Sequence, residues 1–272
     1  MKAMQMADSF LDSTGKVIET IPELYEDGLK PTIQESGKVM ALVPRAVNAA
    51  LVPLRKWIAE REYRLAETEK LLAEKLKDVP PEKITTPEGY VGVPALQSIA
   101  YSMDSDELRE LYANLLANAM NIDTKDKVHP SFVELIKQMS PNDAVVFKSI
   151  YEAPLAPVLD LYIRTEPKDG DEGGNSNYVR NVTWIKEMAY EEVAISLDNL
   201  LRLGLVEIPY GSSYTHKENY KLVKENLEYI RLKQRLEALN LGSVRSDEKF
   251  VRATTLGDSF FEICVKGNAS SN

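Results

Sequence analysis

Four prolines within seventeen residues, in the segment DVPPEKITTPEGYVGVP, most restrict how this chain folds. Each proline removes a backbone N–H donor and disfavours helix in the residue before it. The segment therefore predicts an extended connector that ends at residue 94. We expect three parts: an N-terminal helical region with this connector over 1–94, a central helical unit over 95–139, and a third domain over 140–272.

Composition narrows the classes of function. Hydrophobic residues make up 44% of the chain and charged residues 28%, which is enough apolar material for a packed core. The net charge of −9 opposes a nucleic-acid-binding surface over the whole molecule. The first residues lack the apolar stretch of a signal peptide, and no run of 18 apolar residues is present. We therefore expect a cytoplasmic protein, with peripheral contact to the inner membrane left open.

The stretch RKWIAEREYRLAETEKLLAEKLKD, before the connector, contains neither glycine nor proline and is rich in strong helix formers. Its residues Ile58, Leu65 and Leu72 repeat every seven positions. Arg61 and Thr68 fall at the intervening seam positions, so the apolar strip is narrow. The pattern predicts a long amphipathic helix that lies on another surface, and the three apolar residues are the candidates for self-association.

Residues 38–58 form an unusually apolar segment that permits two interpretations. They either pack into the protein's own core or meet a membrane, a partner protein or a second copy of the chain. Small residues would allow close helix approach, and flanking cations with a tryptophan are typical of membrane interfaces. Arg45 opposes burial in lipid. The candidate surface consists of Val39, Leu42, Arg45, Val47, Leu51, Leu54 and Trp57.

The sequence of the third domain predicts a winged-helix-like α+β fold, within a chain that is otherwise mainly α. Ser140 and Pro141 are typical of a helix start, and Gly204 of a helix end followed by a short strand. The ending FVRATTLGDSFFE indicates a strand that turns into a last helix at Thr254–Gly257. We expect the polar stretch RTEPKDGDEGGNSN to be a loop and LEYIRLKQRLEAL to be helical.

The charge of the predicted reading helix bears on whether this domain binds DNA or protein. Residues 186–203, which include the helix that would read DNA, contain two basic and four acidic side chains, a net charge of −2. An acidic reading helix is a poor ligand for phosphates. A basic cluster elsewhere is interleaved with glutamates; it consists of Lys217, Lys221, Lys224, Arg231, Lys233 and Arg235. Protein contact is favoured, and a DNA-binding regulator is the alternative.

Residues suited to catalysis are sparse. The chain contains two histidines, His129 and His216, and one cysteine, Cys264, in an apolar run. It contains no H-E-x-x-H, C-x-x-C or glycine-rich phosphate-binding motif. His129 precedes a proline and is interpreted as a helix-start residue. We therefore expect a non-enzymatic protein without metal or cofactor.

The segments PELYEDGLKP, SMDSDELRELYANLLANAM and VHPSFVELIKQMSPNDAVVFKSI resemble the abortive-infection alpha family of bacterial proteins. The resemblance implies a role in phage resistance, and it carries no catalytic residue. Three functions follow as hypotheses: defence through protein or membrane binding by the N-terminal helices, DNA-binding regulation, and an oligomerising scaffold. The positions that match the family are Pro22, Tyr25, Asp27, Pro31, Leu111, Leu115 and Asn118.

Overall fold

The computed structural model describes residues 44–52, 65–102, 105–167 and 173–266. Contacts divide the chain into two compact units. The first contains the described residues up to Lys137 together with those from Ile263 onward, and the second runs from Gln138 to Glu262. Helices dominate and the sheets are small and antiparallel, so the mainly α prediction is correct at this level.

The first unit is helical throughout its described part. Residues 44–52 are helical. The remaining helices are α1 (Leu65–Lys75), α2 (Gly89–Tyr101), α3 (Asp106–Ala119) and α4 (Ser131–Lys137), with 3-10 turns at Pro81–Lys83 and Lys125–Lys127.

Helix α3 is the centre of this unit. The Ser105 side chain accepts a hydrogen bond from the Leu108 amide and so caps the helix, with acidic residues in its first turn. Every residue from Leu111 to Ala119 is buried. A helix buried on all sides needs neighbours on all sides, and α1, α2 and α4 each contact α3.

Helix α2 differs from the predicted extended connector. It begins at Gly89, so Pro94 lies inside the helix. The proline lacks the N–H that would bond to a carbonyl one turn earlier. The helix continues because its apolar side chains are buried, among them Val91, Leu96 and Ile99. Tertiary burial therefore outweighs the missing hydrogen bond.

Two buried asparagines of α3 bind the C-terminal segment. The Asn118 Nδ2 atom donates to the Ile263 carbonyl at 2.9 Å, and the Asn114 Nδ2 atom donates to the carbonyls of Cys264 at 2.9 Å and Val265 at 3.2 Å. Helix ends leave carbonyls without intrahelical partners. These amides supply the missing donors, and they do so inside the core.

The second unit alternates helices and strands. Its elements are α5 (Pro141–Glu152), β1 (Pro157–Thr165), β2 (Gly174–Val182), α6 (Tyr190–Arg202), β3 (Val206–Glu207), a 3-10 turn (Lys217–Tyr220), α7 (Lys221–Lys224), α8 (Leu227–Glu237), β4 (Ser243–Phe250), β5 (Arg252–Ala253) and α9 (Thr255–Phe260). A π-helical turn (Phe261–Val265) continues α9, and its residues from Ile263 onward belong to the first unit.

A three-stranded antiparallel sheet has the order β2-β1-β4, and β3 pairs with β5. The central strand β1 is almost continuously buried, whereas the side chains of both outer strands are exposed or alternate between exposed and half-buried over most of their length.

The β1–β2 hairpin corrects the prediction of a loop over RTEPKDGDEGGNSN. Strands include both of its ends, Arg164–Thr165 and 174–177. An exposed edge strand carries polar residues, so its composition is that of a loop.

Several predicted helix ends of this unit are confirmed. Ser140 and Asp143 form a capping box at the start of α5. Gly204 follows α6 with a φ of +71°, and Thr254 caps α9 by accepting from the Gly257 amide. A Cβ at Gly257 would lie 2.0 Å from the Leu205 carbonyl oxygen, so this position requires glycine.

The core between sheet and helices contains Leu159, Leu161, Ile163, Val182, Tyr220, Val223, Tyr229, Leu232 and Leu236.

Candidate interaction surface

Helix α6 presents one exposed face. Its burial repeats with helical period, and Val193, Leu197 and Leu200 point into the core. Ile195 is 70% exposed. The exposed residues are Glu191, Glu192, Ile195, Asp198 and Arg202. The face therefore places one uncovered branched apolar side chain among three carboxylates.

No cation neutralises these carboxylates within the part of the chain that the structure describes. The Glu192 side chain accepts from the Ala189 amide at 3.1 Å, and Asp198 accepts from the Asn181 side-chain amide at 2.6 Å. Glu191 has no hydrogen bond or ion pair to another described residue. The face keeps its negative charge, which favours partners with positive charge.

Arg202, the single basic residue of α6, is occupied. Its Nη1 atom donates to the Gln138 side chain at 2.9 Å, while Nε and Nη2 donate to the Asn199 Oδ1 atom at 3.0 and 2.8 Å. The Asn199 Nδ2 atom in turn donates to Asp143 at 2.8 Å. Three of the donors with which arginine binds phosphate are therefore committed to Asn199 of α6 itself and to Gln138, which precedes α5.

The predicted basic cluster is also largely neutralised. Lys217 and Lys224 both pair with Glu248. The other pairs are Lys221 with Glu225, Arg231 with Glu228 and Lys233 with Glu237. Arg235 alone of the six has no ion pair among the described residues. A continuous free basic stripe, as DNA binding requires, is thus absent from this described cluster.

A groove of about 470 Å³ lies between β2, α6 and α8. Leu232 and Leu236 form its buried floor. Tyr190 forms part of one wall, and its hydroxyl donates to the Arg180 carbonyl at 2.8 Å. Burial, followed by the charge of Glu191, raises the pKa of Tyr190. The lining residues are Asn177, Tyr178, Val179, Tyr190, Glu191, Leu232, Arg235, Leu236 and Leu239.

Two bulges in β2 shape the wall of this groove. Between the partners of Leu159 and Leu161, and again between those of Leu161 and Ile163, β2 contains one residue more than β1. Asn181 and Asn177 lie in these intervals with φ values of 59° and 51°. Asparagine tolerates this left-handed conformation better than most residues. The Asn181 amide donates to the buried Asp160 at 3.0 Å, so the first bulge is fixed to the sheet.

A larger concavity of about 650 Å³ lies beside the loop after β3. Tyr210 of this loop is fully exposed. Both lysines of its lining are paired, Lys217 with Glu248 and Lys249 with Asp160. Burial raises the pKa of Glu248, but hydrogen bonds from Lys217 and Lys224 outweigh it and lower the pKa overall. Neither lysine of the concavity is free to bind an anion.

The sequence-predicted membrane or partner surface is only partly described. Arg45 is exposed, whereas Val47 and Leu51 are fully buried. Val39, Leu42, Leu54 and Trp57 lie outside the described residues.

Of the candidate oligomer residues, Leu72 is fully buried, the side chain of Leu65 is not described, and Ile58 lies outside the described part. The family-like positions Leu111, Leu115 and Asn118 are buried in α3. Pro22, Tyr25, Asp27 and Pro31 lie outside the described residues.

The residues considered for chemistry have structural surroundings. The His129 Nδ1 atom accepts from the Ser131 amide at 3.2 Å, which confirms its place at a helix start. Cys264 is buried, and burial raises the pKa of its thiol. Among the described residues, no group of three or more His, Cys, Asp or Glu side chains could hold a metal ion. No helix in that part of the chain is both long and apolar enough to span a bilayer.

Sequence reasoning found the acidity of α6 but missed the groove. Asn177, Tyr178 and Asn181 fell in or beside a stretch interpreted as a loop, and Leu232 and Leu236 come from a helix more than fifty residues later. The alternation of polar residues with Tyr178 and Val182 is a weak strand signal. Nothing in the sequence indicates which of these residues meet.

Comparison with known proteins gives one family. The sequence model described as abortive infection alpha matches residues 60–264. No curated protein matches. One solved structure, an uncharacterized protein from the hydrocarbon-degrading marine bacterium Alcanivorax borkumensis SK2, aligns with 48% of this chain and 90% of its own at 14% identity, with a TM-score of 0.31.

Proposed function

Because the chain belongs to the abortive infection alpha family, we propose that it is a phage-defence protein that acts by binding another protein and not by catalysis. The observation that carries the proposal is the exposed face of α6. Ile195 is 70% exposed there between Glu191, Glu192 and Asp198. Protein interfaces have an apolar centre and a polar rim, and Ile195 with the surrounding carboxylates has this arrangement on a small scale.

The order of elements supports a winged-helix-like arrangement of the second unit. Helix α6 ends at Gly204, β3 pairs with β5, and Thr254 caps the last helix. The residues between β3 and β5 would then form an enlarged wing that contains α7 and α8. A winged helix serves DNA or protein recognition, and the fold alone does not choose between them.

Electrostatics favours protein. Phosphate neutralisation supplies most of the affinity of a DNA-binding domain. Here α6 has three exposed carboxylates and one engaged arginine, and five of the six residues in the basic cluster are ion-paired. A duplex laid on α6 would place phosphates against Glu191, Glu192 and Asp198, so the interaction would be repulsive.

Membrane contact by the N-terminal apolar segment is a separate proposal. Arg45 and Val52 are exposed, but Val47 and Leu51 are buried in this structure. A membrane-bound form would have to expose both buried side chains. Flotation with vesicles of anionic phospholipid tests this proposal, and a protein that stays in the bottom fraction in every oligomeric state would exclude it.

A phage-protection assay tests protein binding through α6. Cells that express the full chain are challenged with a phage panel, and plating efficiency is compared for the wild type and Ile195→Asp. We expect the variant to lose protection while its melting temperature stays within a few degrees, because Ile195 is exposed. The matched control is Glu218→Lys, which alters an exposed residue outside the α6 face.

Two results would contradict the proposal. One is full protection against phage by the Ile195→Asp variant and also by the Glu191→Lys variant. The other is tight binding of duplex DNA by the wild type in 50 mM salt that disappears on charge reversal at Arg202. Light scattering of the same samples tests the scaffold alternative, which requires assembly without any other partner.

A further inference from the structure

We propose that the groove between β2, α6 and α8 binds a peptide segment of the partner protein in which a large apolar side chain is flanked by a basic residue on one side and an acidic residue on the other. The inference deepens the function proposed above and rests on it. Glu191 connects the two features, since it lies on the exposed face of α6 and also lines the groove.

The floor of the groove fits an apolar anchor. Leu232 and Leu236 are 7% and 6% exposed, so their outer surfaces close the bottom. Tyr178 and Leu239 at the sides remain 44% and 47% exposed. The groove volume of about 470 Å³ is large enough for one leucine- or phenylalanine-sized side chain with its adjoining backbone. Such an anchor would cover the apolar surface that Tyr178 and Leu239 now expose to water.

Among its lining residues the groove has one charge of each sign without an ion pair to another described residue. Elsewhere on α8 the charges are satisfied within the helix, as in Arg231 with Glu228 and Lys233 with Glu237. Arg235 and Glu191 both line the groove, and neither forms an ion pair or hydrogen bond to another described residue. Complementary potentials across an interface favour a basic residue beside Glu191 and an acidic one beside Arg235.

The walls are fixed in advance. The Asn181 side chain links the bulge of β2 to Asp198 of α6 at 2.6 Å, and the Tyr190 hydroxyl links α6 back to β2. The guanidinium of Arg180 lies 5.4 Å from the centroid of the Tyr178 ring, which restrains that ring at the mouth. A preorganised site loses less entropy on binding, so a short segment would bind without folding of the groove.

Nucleic acid fits this groove less well. Arg235 is the single cation of the lining, which also contains Glu191, and Arg180 lies over the Tyr178 ring at the mouth. A protein that binds a nucleic-acid strand through its phosphates needs several cations along the path of the strand. A peptide that carries one charge of each sign therefore fits the groove better than a nucleic-acid strand.

Selection from a displayed library of random 12-residue peptides tests the proposal on the full-length protein. We expect enriched peptides to carry Leu, Met, Phe or Trp with Lys or Arg within three positions on one side and Asp or Glu on the other. Fluorescence polarisation with one enriched peptide then measures affinity for Tyr178→Ala, Glu191→Lys and Arg235→Glu, with Glu218→Lys as the control.

Each groove variant should weaken binding by roughly five- to tenfold, in line with charge and aromatic contacts at the edge of an interface. A charge swap makes the test specific: Glu191→Lys should bind better to a peptide in which the basic residue is replaced by Glu. Absence of any enriched peptide overturns the proposal. So does an affinity within twofold of the wild type for all three variants.

The phage-protection assay separates failure of this inference from failure of the proposed function. If Ile195→Asp abolishes protection while the three groove variants protect fully, the groove proposal is wrong and protein binding through α6 stands. If Ile195→Asp and the groove variants all protect fully, the proposed function itself is wrong.

Discussion

Replacement of Asn118 by alanine is expected to loosen the first unit by removing a donor from its core. Asn118 is 2% exposed, and its Nδ2 atom donates to the carbonyls of Ile263 at 2.9 Å and Asn114 at 3.0 Å. The Asn114 carbonyl lies within α3, where the helix supplies its own donor. The Ile263 carbonyl loses the side-chain donor, which water cannot replace in a site this buried.

The magnitude follows from that single carbonyl. A buried acceptor that loses its hydrogen-bond donor lowers the stability by about 1–3 kcal/mol, and this range includes the free energy of the lost hydrogen bond itself. A small cavity from the three deleted atoms adds to it. We therefore expect the opening free energy of the unit to fall by about 2–3 kcal/mol. Since 1.4 kcal/mol is tenfold in an equilibrium constant, amide exchange should accelerate roughly 30- to 150-fold.

Native-state hydrogen exchange with mass spectrometry measures this effect locally, because a chain with two units need not unfold in one step. The informative peptides cover 106–119 and 261–265. Asn118→Asp provides a second measurement: a carboxylate would face two carbonyl oxygens, so its pKa would be raised and protonation at low pH would restore a donor. Its stability should therefore increase as the pH falls. Exchange within threefold of the wild type in Asn118→Ala would refute the reasoning.

Three further predictions concern other elements. Glu248→Gln should lower the free energy of unfolding by about 1 kcal/mol at pH 7. Because Lys217 and Lys224 hold the pKa of Glu248 below its usual value, its contribution is present above the unfolded pKa and is lost as the pH falls through the lowered, folded pKa. The urea midpoints of variant and wild type should therefore converge as the pH is lowered through this range, and a constant gap would contradict the prediction. In thermal melts, Gly257→Ala should destabilise the protein by about 3 kcal/mol, because the added Cβ would clash with the Leu205 carbonyl. Gly204→Ala, with open space around its Cβ position, should cost about 1 kcal/mol. Equal losses of stability in the two variants would show that the clash with Leu205 does not determine the effect at Gly257. Cys264 should react with a thiol reagent only after denaturant is added, because it is buried with a raised pKa; rapid reaction of the native protein would contradict the buried placement.

Local signals of the second unit were readable from the sequence because they depend on neighbours in the chain. Ser140 lies three residues before the Asp143 amide that it caps, and Gly204 supplies the left-handed conformation directly after α6. Thr254 and Gly257 form the same short-range pair at α9. Such signals act over one helical turn, so a single sequence contains them in full.

Features that depend on distant residues could not be read in this way. Strand β2 is polar because it lies at the edge of the sheet, and that position follows from pairing with β1. The groove needs Tyr178 of β2, Tyr190 of α6 and Leu236 of α8 in one place. Pro94 predicted an extended segment, but burial of α2 determined its conformation. The acidity of α6 was visible, whereas the occupation of Arg202 by Gln138 and Asn199 was not.

The bulges of β2 also determine what the open edges of the three-stranded sheet can do. A regular edge strand offers a ladder of unpaired N–H and C=O groups to which another chain can add. Two interruptions only four residues apart break that ladder along β2, and Arg245, Asp247 and Lys249 place charges along the opposite edge, β4. The sheet should therefore resist edge-to-edge aggregation when the protein accumulates in a cell. Removal of the bulges should make solubility concentration-dependent, in addition to changing the wall of the groove.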